Sequence, residues 1–159
     1  MEKGDKCLAV VRVRGTVNVR RDISDTLRML HLVRNCHATL IDNRPSYLNM
    51  LHKVHNYVTW GEVSKEVIAL LLRERGRLRG NRKITDEYAR KIGFESVDDL
   101  AEAIHSLKVE FHKLPEIKPV FRLHPPSGGY DGSIKKSYKS GGVVGYRGED
   151  INDLLKRMI

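Results

Sequence analysis

The first sixty residues alternate between strand patterns and amphipathic helix patterns, which restricts the chain to a few layered folds. Residues 7–14, 37–42 and 56–63 have the apolar spacing and β-branched content of strands. Between them, residues 22–33 and 45–54 place apolar side chains on one face of a helix. Five elements in this order predict a two-layer α/β sandwich, with both helices on one face of a small sheet.

Local chemistry suggests where these two helices begin. Asp22 is placed to cap the first helix, which we expect to end near Val33. Pro45 suits the first turn of the second helix, because proline lacks an N–H group and this turn leaves its N–H groups unpaired.

The chain changes in character after residue 63. Ser64, Thr85 and Ser96 each precede a helical pattern and can cap it, whereas four of the five prolines fall between residues 115 and 126 and indicate an extended connector. We therefore expect three segments: a βαβαβ core at 1–62, a helical extension with a basic loop at 63–123, and a glycine- and lysine-rich loop with a C-terminal helix at 124–159.

The segment from Gly128 to Gly148 contains seven glycines, four lysines or arginines and one acid, Asp131. Ordering so glycine-rich a chain costs much conformational entropy, and the segment has few apolar side chains to offset that cost. It leads into an amphipathic helix with Ile151 and Leu155 at core-like spacing. We expect a cationic loop that a large polyanion orders, and RNA is the leading candidate.

The overall charge favours the same partner. The chain has 29 Lys and Arg against 20 Asp and Glu, a net charge of +9, and affinity for a phosphate backbone grows with the number of phosphates neutralised. The charge is zoned: residues 73–91 hold eight basic residues and three acids, whereas residues 95–116 hold six acids and two lysines. We expect the acidic stretch to face away from RNA.

Cationic and polar residues in four places are candidate RNA contacts, since arginine can grip a phosphate with two N–H groups and lysine acts as a point charge. These places are the first turn, the start of the second helix, the mid-chain basic loop and the glycine-rich segment. The candidates are Arg12, Arg14, Arg20, Arg21, Arg44, Ser46, Arg77, Arg79, Arg82, Lys83, Lys135, Lys136, Lys139 and Arg147.

Plainer interpretations stand beside these. Each cation can be an ordinary solvated surface charge. Tyr130, Tyr138 and Tyr146 can stack on bases, as aromatic residues do in RNA recognition, or pack the segment onto its own helix.

Patterns that suggest other chemistry lack the residues that would complete it. Zinc sites usually pair two ligand doublets, and His52 and His55 have no such partner doublet. The glycines at 142, 145 and 148 have no preceding apolar strand and no Walker lysine. We therefore expect no metal, no cofactor, no small-molecule substrate and no catalytic residues. An RNA-processing or RNA-modifying enzyme, and a free-standing regulatory RNA- or DNA-binding module, remain as alternatives.

The location of the protein can be inferred from three features. Cys7 and Cys36 cannot build a disulfide framework, and no signal peptide precedes them. No apolar run approaches the length that crosses a bilayer, so we expect a reduced cytoplasmic protein without membrane contact.

The motifs in this order resemble a known family. The Val-Arg-Val-Arg-Gly run at 11–15, the Asp-Asn-Arg-Pro run at 42–45 and the Asn-Met-Leu-His-Lys-Val run at 49–54 are similar to the large-subunit ribosomal protein L-thirty family, called L-seven in eukaryotes. The core match spans residues 6–62. The later glycine and lysine pairs and the Arg-Gly-Glu-Asp-Ile-Asn run at 147–152 resemble the longer archaeal and eukaryotic branch. The chain lacks the long basic N-terminal extension of the eukaryotic members, which favours the archaeal type.

The resemblance implies more than the residues do. It implies a ferredoxin-like α+β fold with a three-stranded antiparallel sheet, the first strand central, and a non-catalytic role in the large ribosomal subunit. The implied partners are the large-subunit 23S-type rRNA, the nearby 5S rRNA and neighbouring ribosomal proteins. It also adds Lys53, in the third motif, to the candidate RNA contacts.

Overall fold

The computed structural model describes residues 6–130 and 132–159. Asp131, the one acid of the glycine-rich segment, and residues 1–5 lie outside the described residues. The described elements follow one another as β1 (Cys7–Arg12), α1 (Arg21–Met29), β2 (His37–Asp42), α2 (Pro45–Lys53), β3 (Val58–Glu62), α3 (Lys65–Arg75), α4 (Asp86–Lys91), α5 (Val97–His105), β4 (Phe121–Arg122), β5 (Ser133–Ser137), β6 (Gly142–Tyr146) and α6 (Ile151–Met158). Single 3-10 turns lie at Phe111–Lys113, Tyr138–Ser140 and Gly148–Asp150.

The strands form one mixed sheet in the order β4-β2-β1-β3-β6-β5. β1 lies between β2 and β3 and is antiparallel to both, with Val10 opposite Thr39 on one side and Trp60 on the other. The antiparallel core with a central first strand is therefore confirmed. The expected total of three strands is wrong, because the described residues contribute six.

The additional strands extend the two edges of that core. Phe121 and Arg122 pair antiparallel with β2, inside the stretch expected to be only a connector. On the other side, β6 runs parallel to β3, with Thr59 opposite Gly145. An edge strand leaves a row of unpaired N–H and C=O groups, and pairing with later segments of the chain satisfies them.

The two helices of the βαβαβ core lie on one face of the sheet, as the two-layer arrangement predicts, and helices of the later segments cover the other face. On one face, Leu8 and Val10 pack with side chains of α1 and α2, including Leu27 and Leu51. On the other face, Ala9 belongs to a larger core built mainly with α3, α5 and α6. Every residue of β1 is buried. The unbroken apolar run at the start of the chain is typical of a strand that is covered on both sides.

Three of the four expected capping residues cap their helices. The hydroxyls of Ser64, Thr85 and Ser96 each accept the backbone N–H three residues later, at 3.3–3.4 Å. Asp22 does not cap α1: the cap position is Arg20, and Asp22 lies within the first turn. The helix also ends at Met29, before Val33, because His31 has a left-handed φ of 63° that a helix cannot continue through.

The segment boundaries expected after residues 62 and 123 fall in connections between elements, yet all three segments contribute side chains to the larger core. None of the helices within the described ranges combines the length and the apolar content that a membrane crossing requires.

Candidate nucleic-acid interface

Arg12 lies inside the protein and not on its surface. Its guanidinium donates to four backbone carbonyls, those of Arg14 at 3.0 Å, Leu32 at 2.8 Å, Val33 at 3.1 Å and Gly15 at 3.1 Å. Burial lowers the pKa of Arg12, and the nearby Tyr57 partly offsets that effect. The side chain therefore ties the β1–α1 turn to the end of α1, and its N–H groups are directed at protein carbonyls and not at solvent.

The other candidates of the first turn are accessible. Arg14 is partly exposed and lies over the ring of Tyr57, with 5.0 Å between its guanidinium carbon and the ring centroid. Arg21 is exposed, and the side chain of Arg20 is 78% exposed in an ion pair with Asp22.

Lys53 is also accessible. It is exposed in the last turn of α2, four residues before the Tyr57 on which Arg14 rests. Arg28 and Arg34 are also exposed, at the end of α1 and in the connection that follows it. Sequence reasoning missed these two arginines, although they flank the helix end that the first turn contacts. We call Arg14, Arg20, Arg21, Arg28, Arg34 and Lys53 the first basic surface.

Arg44 is engaged in a largely buried ion-pair network. It donates to both carboxylate oxygens of Asp42, at 2.8 Å and 2.7 Å, and it also pairs with Glu110. Its hydrogen bond to Asp42, outweighing the effect of burial, raises the pKa of Arg44. The Asp42 side chain is 2% exposed and that of Glu110 is 11% exposed. Arg44 thus fastens the segment after α5 to the end of β2.

Ser46 lies two residues after Arg44, and Glu110 and His112 are the titratable groups of the same corner. Ser46 is partly buried in the first turn of α2, which starts without a side-chain cap. The hydrogen bond from Lys113 lowers the pKa of Glu110, with Arg44 adding to the effect. Burial lowers the pKa of His112, whose ring lies edge-on to Tyr47. This corner is charged but largely enclosed.

Backbone hydrogen bonds and buried side chains hold the mid-chain basic loop in place. The N–H of Leu78 donates to the carbonyl of Arg82 at 2.7 Å, and that of Arg79 donates to the carbonyl of Glu116 at 2.9 Å. Leu78 and Ile84 are buried and anchor the loop in the core. The loop is therefore a small hairpin-like structure that presents fixed cations.

The cations of this loop differ in exposure. Arg77 is partly buried and donates to the carbonyls of Glu74 and Gly76, at 3.2 Å and 2.9 Å. Arg79, Arg82 and Lys83 are exposed. Beside them, a groove of about 490 Å³ separates the loop from α4. The groove is lined by Leu78, Arg82, Lys83, Thr85, Glu87, Tyr88, Lys91 and Glu116.

The glycine-rich segment has a structure of its own, which corrects the expectation of a loose loop. β5 and β6 pair in parallel, and β6 joins the main sheet through β3. Left-handed backbone at Gly141 and Gly145, with φ of 81° and 94°, bends the chain where other residues would be strained. The glycines thus allow a compact path for the chain.

The tyrosines and arginine of the segment bind the chain itself. The Tyr146 hydroxyl donates to Glu62 at 2.6 Å, and that of Tyr138 donates to Asp150. Arg147 donates to the Thr59 hydroxyl at 2.8 Å and to the carbonyl of Val143 at 2.7 Å, while its guanidinium carbon lies 4.8 Å from the Tyr138 ring centroid.

Lys135, Lys136 and Lys139, in contrast, are exposed on and beside the edge strand β5.

No cluster of three or more His, Cys, Asp or Glu side chains suitable for a metal ion occurs in the part of the chain that the structure describes. The accessible charge of the candidate residues instead concentrates in three places: the first basic surface, the basic loop and β5. Such cations can neutralise phosphates without reading base sequence.

Comparisons with known proteins give this arrangement its context. Residues 8–58 match the family model described as ribosomal protein L30p/L7e. A protein of Methanopyrus kandleri named large ribosomal subunit protein uL30 is 54% identical, over 92% of this chain and 100% of its own length. Proteins of the same name from Archaeoglobus fulgidus and Methanobrevibacter smithii are 51% and 48% identical, each over 94% of this chain and 98% of their own length. The chain belongs to the ribosomal protein L30p/L7e family.

Proposed function

We propose that this protein is a structural constituent of the large ribosomal subunit, where it binds and stabilises the large-subunit rRNA in the cytoplasm. The observation that carries the proposal is the similarity to proteins named large ribosomal subunit protein uL30, which extends over nearly the whole of both chains. The finer part of the proposal is a position near the 5S rRNA, in contact with neighbouring ribosomal proteins.

The proposed rRNA contacts are the exposed cations, since a guanidinium or ammonium group must reach a phosphate to neutralise it. They comprise the first basic surface, the basic-loop residues Arg79, Arg82 and Lys83, and the β5 residues Lys135, Lys136 and Lys139. Arg12, Arg44, Arg77 and Arg147 donate to protein acceptors, so we assign them the task of holding those surfaces in place.

The proposed orientation turns α5 away from the rRNA. Asp98 and Glu102 are exposed on this helix, with Asp99 partly exposed beside them. A phosphate backbone would be repelled there, whereas basic segments of neighbouring ribosomal proteins would be attracted.

The proposed role is non-enzymatic. Catalysis would require a convergent acid–base or metal set in a pocket. The largely enclosed charged groups that the structure places together, such as Asp42, Arg44 and Glu110, neutralise one another in ion pairs. Such ion pairs stabilise the packing of one segment of the chain against another.

Sedimentation of a cell lysate tests the proposal. Stoichiometric migration of this protein with large subunits at low salt, and its retention after a high-salt wash, are the expected results. A free soluble pool with no subunit-bound fraction would reject the proposal in favour of a regulatory RNA-binding module. Turnover of RNA by the purified protein would favour an enzyme.

A further inference from the structure

Glu116 lies between two cations of different elements in the groove beside the basic loop. Its Oε2 is 4.0 Å from the guanidinium nitrogen Nη2 of Arg82 and 4.0 Å from Nζ of Lys91, in the last turn of α4. All three side chains are substantially exposed, so this groove opens to solvent. The carboxylate of Glu116 thus pairs with two accessible cations.

The backbone holds Glu116 in this position. Its φ is 61°, a left-handed conformation that is uncommon for a residue with a long side chain. The carbonyl of Glu116 accepts the N–H of Arg79 at 2.9 Å, and the carbonyl of Pro115 accepts the hydroxyl of Tyr88 at 2.5 Å. These two hydrogen bonds hold the strained backbone in place. Strained backbone conformations of this kind are common at binding sites.

The two ion pairs are weak. A direct N–H···O hydrogen bond spans about 2.7–3.2 Å, and both contacts of Glu116 are longer. Exposed pairs of this kind contribute little to stability and are readily exchanged for another anion. A group that can approach both cations at hydrogen-bond distance would bind better than the carboxylate does.

We propose that this groove binds one backbone phosphate of RNA, and that Glu116 occupies the phosphate position in the free protein. Arg82 and Lys91 bridge the phosphate, while the floor formed by Leu78 and Tyr88 receives the adjoining ribose. The inference rests on the proposed function. It adds Lys91 to the contact residues and makes Glu116 an internal competitor that RNA displaces.

A matched pair of variants tests the displacement. Glu116→Gln and Glu87→Gln remove the same charge, and both residues line the groove, but the ion pairs with Arg82 and Lys91 are made by Glu116. With in-vitro-transcribed large-subunit rRNA in a filter-binding assay, Glu116→Gln should bind about two- to fivefold more tightly than the wild type. Glu87→Gln should bind with a smaller gain. Equal gains for the two variants, or no gain for Glu116→Gln, would overturn the proposal.

A second comparison checks the role of Lys91. Lys91→Gln should weaken binding more than Lys108→Gln, an exposed lysine after the acidic helix α5, and it should reduce the gain produced by Glu116→Gln. Equal losses, or an undiminished gain, would contradict the bridged phosphate. Wild-type protein that does not bind this RNA at all would instead reject the proposed function, so the two failures are distinguishable.

Discussion

The α-carbon of Gly61 on β3 approaches the backbone of Gly148 so closely that a Cβ at position 61 would lie 1.9 Å from the Gly148 carbonyl oxygen. Hydrogen bonds fasten this approach on both sides. The N–H of Arg147 donates to the carbonyl of Trp60 at 2.9 Å, and the Asn152 side-chain amide donates to the carbonyl of Glu62 at 3.2 Å. The turn before α6 can therefore lie against the sheet only where β3 has no side chain.

We expect Gly61→Ala to lower the free energy of unfolding by about 2 kcal/mol, because the backbone it meets cannot rotate away as a side chain can. Thermal denaturation should show a fall in Tm of roughly 4–8 °C for a chain of this length. Gly15→Ala is the control, since a Cβ there meets no described atom within 4 Å. Equal Tm values for the two variants would argue against the close approach.

Replacement of Arg44 should destabilise the protein far more than replacement of Arg20, although each pairs with an aspartate two residues away. Arg44→Gln leaves the buried carboxylates of Asp42 and Glu110 without their arginine, at a cost of about 3 kcal/mol. Arg20→Gln should cost less than about 0.5 kcal/mol, because its pair with Asp22 is exposed. Urea denaturation measures both, and similar midpoints would contradict the buried network.

Variants of Arg12 and Arg14 should distinguish a residue that stabilises the fold from one that binds RNA. Arg12→Met removes the donor of four backbone carbonyls and should lower the free energy of unfolding by about 3 kcal/mol. Arg14→Met should change stability little but reduce the slope of log K against log salt by about one. A stable Arg12→Met variant with impaired RNA binding would reverse the assignment.

Neutralising Lys135, Lys136 and Lys139 together to glutamine should weaken RNA binding and reduce the salt slope by about two to three, while circular dichroism stays unchanged. The control replaces Lys65, Lys108 and Lys156, which are also exposed, and so alters net charge equally. If the β5 lysines serve only to keep an edge strand from aggregating, the two triple variants will bind RNA alike and the first will aggregate.

Stability should fall in mild acid because of two histidines. Burial lowers the pKa of His37, with Arg122, Arg34 and Arg12 adding to the effect, and burial also lowers the pKa of His112, against the opposing influence of Glu110. The unfolded chain then binds more protons than the folded one. The stabilisation is therefore complete above the ordinary value of 6.5 and is lost as pH falls through the lower folded pKa values.

The measurement is the free energy of unfolding in urea from pH 8 down to pH 5. The double variant His37→Gln, His112→Gln should show a flatter dependence in this window. The same steep decrease in the variant would assign the effect to other groups. Loss of the Glu110 contribution belongs to a separate, more acidic window, since the pKa of that carboxyl is lowered from 4.5.

Several elements were predictable because their causes lie within a few residues. Ser64, Thr85 and Ser96 cap helices through contacts three residues away. The alternation of strands and helices up to β3 also follows from local spacing. Asp22 shows the limit of this reasoning, because the helix begins two residues earlier than expected and Asp22 pairs with Arg20 from within the first turn.

The interface was less predictable, because exposure depends on distant parts of the chain. Arg12 and Arg14 are two residues apart, yet one is buried by carbonyls twenty residues later and the other is accessible. Arg44 is enclosed by Glu110, which lies 66 residues further along the chain. Lys91 enters the groove only because α4 packs beside the basic loop.

The sequence alone determined the strand–helix order through β3, the caps of α3, α4 and α5, the excess of positive charge and membership of a ribosomal protein family. The tertiary structure decided that helices cover both faces of the sheet, that the glycine-rich segment adds strands to it, and which cations remain exposed. The physical reason is the distance along the chain over which each interaction acts. Periodicity and capping act over one or two turns of chain, whereas strand pairing, burial and ion pairing join residues that only the folded structure brings together.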